Sequence, residues 1–170
     1  MKKISLTLIL ACVIFSCEYS TKSLHLDLVK FVQMKENWEK KNINNYSFTY
    51  SFDTYMPSAY IGYVKVSNGV GSVTFEGEPH HKPDVNRSYD KKFYITSIEE
   101  VFNYILYEYT KAKKELDEGK YAYIRYYPVD YDNEYFFPTY AHCYRGLKKD
   151  PGDGYYGGAT LKIKDFKVLD

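Results

Sequence analysis

An α+β fold, with one antiparallel β-sheet of about six strands and two helices packed on one face, is what this sequence predicts. Three observations carry that prediction. Residues 46–53 alternate strictly between aromatic and polar side chains, the period-two pattern of a half-buried strand. An Asn68-Gly69 pair separates two β-rich runs, a strong hairpin cue because both positions tolerate positive φ. Two amphipathic helical patterns flank the strand runs, giving the order αβββαβββ. That order lacks the βαβ alternation of a parallel sheet.

The elements follow in chain order. Leu24, Leu28, Phe31, Val32 and Trp38 fall near helical spacing, with Lys30, Lys35, Glu36 and Glu39 between them. A helix over 24–41 is expected, broken by Asn42, Asn44 and Asn45. Tyr46, Phe48, Tyr50 and Phe52 then form the aromatic face of a strand. Met56-Pro57-Ser58 is a turn, and strands over 60–67 and 70–76 form the Asn-Gly hairpin. Polar residues 77–92, with Pro79 and Pro83, read as a loop. A capping box, Thr96 with Glu99 or Ser97 with Glu100, opens the second helix. Its apolar stripe is Ile98, Val101, Phe102, Ile105, Leu106, Tyr109, Ala112 and Leu116, and Gly119 is the stop signal. A strand over 121–127 ends at Pro128. Residues 131–134 read as a turn, and Pro138 bars the residues just after it from a central strand. Strands over 139–144 and 159–168 complete the sheet. In the last strand, Leu161 and Ile163 are out of phase with Phe166 and Val168, so a bulge near Asp165 is expected.

The chain has 170 residues, 45% hydrophobic and 26% charged, with a formal charge of +1. Such a composition builds a core and argues against disorder. Near-neutral charge argues against a nucleic-acid partner. There are 21 tyrosines against one tryptophan, an excess that suits strands and wet surfaces.

Residues 1–16 read as a lipoprotein signal. Lys2 and Lys3 precede an apolar stretch from Ile4 to Phe15, too short to span a bilayer, which needs roughly 20 residues. Ile14-Phe15-Ser16-Cys17 resembles the bacterial lipobox, in which the Cys thiol is alkylated by a diacylglyceryl group and cleavage falls just before it. An ordinary cleaved signal with a chance Cys is the alternative. Of three cysteines, Cys12 leaves with the signal and Cys17 is acylated, so only Cys143 remains and no intramolecular disulfide forms. Losing Lys2 and Lys3 from 23 basic residues leaves 21 against 22 acidic ones, a formal charge of −1. Residues 17–23 form the lipidated N-terminus and a short tether. Its six residues after Cys17 reach about 20 Å when extended. The expected domain then spans 24–170, and Glu18 after the Cys favours the outer membrane or cell surface.

From Trp38 onward the chain resembles a family of small bacterial lipoproteins and secreted proteins called domain of unknown function 6174. The residues that carry the resemblance are Trp38, Ile43-Asn44-Asn45-Tyr46-Ser47-Phe48, Val64 to Gly69, Thr96 to Phe102, Tyr131-Asp132 with Tyr135, Pro138 and Thr139, Asp153-Gly154, Gly157-Gly158, and Ile163 to Phe166. They cover residues 38–168. Members usually read Tyr-Gly-Tyr-Pro before the Thr; here Phe136 stands in place of that Gly. The resemblance implies no catalytic residues.

Candidate chemistry is sparse. His80 and His81 sit in Glu78-Pro79-His80-His81-Lys82-Pro83-Asp84, but adjacent side chains on an extended backbone point apart. No metal and no cofactor are expected. Asp150-Pro151-Gly152-Asp153-Gly154 lacks the closing Glu of an EF-hand. His142 and Cys143 are adjacent in a predicted strand and so face opposite sides, which favours a structural Cys. What remains is a possible binding surface of Tyr131, Asp132, Tyr140, Asp153, Tyr155 and Tyr156, with Tyr144 nearby. The leading expectation is a membrane-anchored, non-catalytic envelope module that binds a protein or cell-wall partner. The alternative is a carbohydrate-binding or hydrolytic envelope enzyme using Asp132 and Asp153 near aromatic residues. A self-associating structural lipoprotein is a third reading.

Overall fold

The computed structural model describes residues 26–54, 60–76, 94–119, 124–126, 129–145 and 159–170. Helix α1 (Leu28–Lys41) leads into strands β1 (Tyr46–Thr54), β2 (Tyr60–Ser67) and β3 (Val70–Glu76). Helix α2 (Ile98–Asp117) follows, then β4 (Ile124–Tyr126), β5 (Asp130–Tyr131), β6 (Pro138–Arg145) and β7 (Ala159–Val168). All pairings are antiparallel, in the order β3-β2-β1-β7-β6-β4. β5 also pairs with β6. The α+β architecture expected from the sequence is therefore present, with both helices on one face.

The alternation in β1 dictates which face that is. Tyr46, Phe48, Tyr50 and Phe52 are each at most 2% exposed, and both helices pack over them. Trp38 of α1 meets Tyr46 edge-on at 5.4 Å, Phe102 of α2 meets Phe31 of α1 at 5.4 Å, and Tyr104 of α2 meets Phe52 at 5.0 Å. T-shaped contacts of this kind add to area burial. Two hydrogen bonds tie α2 and the segment leading into it to the ring row. The Ile98 N–H donates to the Tyr46 hydroxyl at 3.1 Å, and the Ile95 N–H donates to the Tyr50 hydroxyl at 3.3 Å.

The helix ends follow their capping residues. Asp27 accepts from the Lys30 N–H at 2.9 Å, so α1 starts at Leu28, four residues later than the periodicity predicts. Asn42, at φ 50°, ends it in the left-handed conformation. At α2, Ser97 accepts from the Glu100 N–H, and the Glu100 carboxylate reaches back to the Thr96 N–H and hydroxyl. The second of the two expected capping boxes is thus the one that forms, displaced by one residue. Glu99 is taken by Trp38 and Tyr46 instead.

Both helical stripes need correction. α1 buries Phe31 and Trp38, with Met34 partly covered, but Leu28 and Val32 are exposed. Leu26, ahead of the cap, makes the core contact at that end. In α2, Leu106 faces outward and Glu108 is buried. A stripe repeating at three and four residues passes through 105, 108 and 112, and leaves 106 on the flank.

The β2–β3 turn places Asn68 at φ 52° and Gly69 at φ 77°, as a two-residue primed turn requires. The segment after α1 holds this turn: Asn45 accepts from the Asn68 N–H at 2.8 Å, and the Asn44 carbonyl accepts from the Gly69 N–H at 2.9 Å. β4 and β5 pair with successive parts of β6. The predicted turn at 131–134 begins one residue late, because Tyr131 is still strand. Pro138 is the first residue of β6, which lies between β7 and β4. The expectation that Pro138 keeps its followers out of an interior strand fails, because a proline at the first strand position need not donate to the ladder there. The bulge in β7 is present. Between Ser47 and Thr49 the pairing with β7 shifts, and Asp165 takes φ 54°. The extra residue turns Phe166 inward against Trp38 at 5.8 Å and Phe137 at 4.6 Å.

Candidate functional site: the open face of the sheet

The polar residues of β1 point away from the helices, so neither helix covers the opposite face of the sheet. Register places its side chains in rows. Thr49 stands between Tyr63 of β2 and Lys164 of β7. Ser51 stands between Ile61 and Lys162, and Lys162 pairs onward with Tyr140 of β6. Asp53 pairs with Thr160, which pairs with His142.

A recess of about 220 Å³ opens here, lined by Thr49, Ser51, Ile61, Tyr63, Lys162, Lys164 and Asp165, with part of Tyr50 at its floor. Ile61 and Tyr63 are 37% and 42% exposed. The polar groups are mutually braced. Lys162 donates to Asp53 at 2.8 Å, and that carboxylate holds its ammonium pKa above the ordinary value. Thr49 donates to Asp165 at 2.9 Å, and the Tyr63 hydroxyl donates to Glu76, which raises the phenol pKa. His142 Nδ1 lies 2.5 Å from the Thr160 hydroxyl, and burial lowers its pKa. Hydroxyls, two lysines, a tyrosine ring and an isoleucine on a rigid sheet can stack against and hydrogen-bond a polar ligand. This is binding chemistry.

The residues nominated from sequence separate. Tyr140 belongs to the open face. Tyr131 packs against the core on the helix side, with Lys30 Nζ 5.5 Å from its ring centre. Burial, followed by the charge of Asp27, pushes its phenol pKa up. Asp132 is a turn-former: its carboxylate accepts from the Glu134 and Tyr135 N–H groups at 2.8 and 2.7 Å. The Asp132 N–H and C=O also close the turn onto Phe137 and Phe136. Tyr131 and Asp132 thus do not form one surface with Tyr140. Cys17, His80, His81, Asp150, Asp153, Tyr155 and Tyr156 lie outside the described residues, as do the side chains of Cys143 and Tyr144. Among the described residues, no group of three or more His, Cys, Asp or Glu side chains is placed to hold a metal. Nor is any described helix long and apolar enough to cross a membrane.

Ile61, Tyr63, Lys162 and Lys164 were missed as site residues. The signal was present in the polar phase of the 47–53 alternation, which marks the face turned away from both helices.

Phe136 takes φ 69°. Its ring lies 5.3 Å from Lys41 Nζ. Left-handed backbone costs a non-glycine residue about 1 kcal/mol, and the cation–π contact is worth about the same. Phe136→Gly is therefore expected to change stability by less than about 1 kcal/mol. Phe137→Ala, at a buried neighbour, should cost about 3–5 kcal/mol. Urea unfolding of both variants checks the contrast.

Comparison with family models, with curated proteins and with solved structures finds no match to this chain.

Proposed function

We propose that this chain is a lipid-anchored bacterial envelope protein whose domain is a non-catalytic binding module, presenting the open sheet face to a protein or cell-wall partner. The observation that carries the binding reading is the recess between Tyr63 and Lys162, on a face that neither helix covers. A tethered binder needs such a face on a rigid support. The anchor reading rests on Cys17 following an apolar stretch with two lysines ahead of it. The resemblance to small bacterial lipoproteins agrees with it. The hydrolytic alternative draws less support, because the Asp132 carboxylate is engaged by two backbone N–H groups.

Two measurements test this reading. Cells expressing the full chain are labelled with radioactive palmitate. The wild type is expected to carry label and Cys17→Ala none; equal labelling refutes the anchor. For the binding face, the wild type and Tyr63→Ala are sedimented with isolated peptidoglycan sacculi. Co-sedimentation lost in the variant supports a cell-wall partner. Sedimentation unaffected by Tyr63→Ala moves binding off this face.

A further inference from the structure

We propose that the outer side of the first turns of α1 is a lipid-docking surface, which seats the domain on the bilayer that Cys17 anchors. The inference rests on the anchor reading above and adds an orientation to it. Leu28, Val29 and Val32 are 43%, 81% and 51% exposed. On a helix these positions fall within about 100° of arc. The centre of that arc lies about 120° around the helix from the Phe31–Trp38 stripe buried against the sheet and α2. α1 therefore carries a second apolar stripe, whereas a solvated face is normally charged or polar. The stripe is confined to one end. Further along, the same side of the helix bears Glu36 and Glu39, both exposed.

The end that carries the stripe is the end nearest the anchor. Leu28 lies eleven positions after Cys17, with ten residues between them, so the start of α1 is held within about 37 Å of the acylated thiol. A stripe about 6 Å long inserts only shallowly, as interfacial helices do. Weak intrinsic affinity suffices, because the tether keeps the local lipid concentration high. The open sheet face lies on the far side of the sheet from α1, so a domain seated this way turns its recess away from the bilayer.

The test uses the full chain purified from a bacterial host with its acyl chains. It is reconstituted in phosphatidylethanolamine–phosphatidylglycerol vesicles that contain a brominated lipid. Two exposed positions receive a tryptophan probe: V29W on the stripe and K65W on the open sheet face. Trp38 is buried and supplies a constant background. Quenching in V29W should exceed that in K65W by about twofold or more, and adding L28S and V32S to V29W should remove the excess. Equal quenching at the two positions overturns the proposal. So does V29W shielded from brominated lipid by concentration-dependent self-association, which would make the stripe a contact between copies. Vesicle flotation separates the two readings. A chain that floats without preferential V29W quenching overturns the docking surface alone, whereas a chain that does not float overturns the anchor and the docking surface with it.

Discussion

Tyr46→Ala is expected to lower the unfolding free energy by about 3–5 kcal/mol, and Tyr46→Phe by about 1–3 kcal/mol. Tyr46 is 2% exposed at the start of β1. Its ring contacts Trp38, Phe48 and Phe166 at 5.4, 6.1 and 5.6 Å. Its hydroxyl accepts from the Ile98 N–H and donates to Glu99, which also accepts from the Trp38 indole at 2.8 Å. One side chain thus joins β1, α1 and the first turn of α2. The Phe variant keeps the ring and leaves the Ile98 N–H without this acceptor, so it isolates the polar part. Urea unfolding separates the contributions; equal losses from the two variants would put the whole effect on the hydroxyl. The same residue sets an alkaline limit. Burial pushes the Tyr46 and Tyr50 phenols well above their ordinary value. A raised folded-state pKa means that stability is full below the unfolded phenol pKa of about 10 and falls as pH climbs beyond it. Tyr46→Phe should therefore flatten the stability-versus-pH slope above about pH 10.

Gly71→Ala is the second large effect, with an expected cost of about 2–3 kcal/mol. A Cβ built on Gly71 would lie 1.8 Å from the Thr96 carbonyl oxygen. That oxygen cannot swing aside. Thr96 is clamped through its N–H and hydroxyl to the Glu100 carboxylate, and the next residues begin α2. Relief requires β3 and the approach to α2 to move apart as backbones. Val70→Ala, one residue away at a position 75% exposed, should stay within about 0.5 kcal/mol of wild type. Thermal melts compare the two. A G71A protein as stable as V70A would show that the chain entering α2 does not rest on β3.

The contrast between these positions explains what the sequence made legible. Tyr46 to Phe52 announced a buried face by alternation alone, because a strand side chain can point only one of two ways. Asn68-Gly69 announced its turn through backbone stereochemistry, and the phase conflict between Ile163 and Phe166 announced the bulge. Each is a local constraint. The contact of Gly71 with Thr96 is not local, since it depends on how the segment after residue 93 returns over the sheet. The same limit misplaced Leu28, Val32 and Leu106, whose burial depends on where each helix ends relative to the core. For the site, the tyrosine excess drew attention to Tyr131 and Asp132. Their roles are a core-edge ring and a turn carboxylate. The open face was written in plain serines, threonines and lysines, which carry no motif. Only register brings Thr49, Tyr63, Lys162 and Lys164 together.

The position of β7 between β1 and β6 has a consequence for how the domain comes into being. Its pairing with β1 spans most of the chain, as the contact between Asp53 and Lys162, 109 residues apart, illustrates. Residues 159–168 follow β1 to β6 in the chain, so until they dock, the β1–β3 meander and the β4–β6 group have no strand to bridge them. Closing so long a loop is entropically costly and kinetically late. Before β7 docks, the edges of β1 and β6 that it will pair with are open, and such edges recruit other strands. Completion is then abrupt, because one ten-residue segment supplies hydrogen bonds to both halves at once.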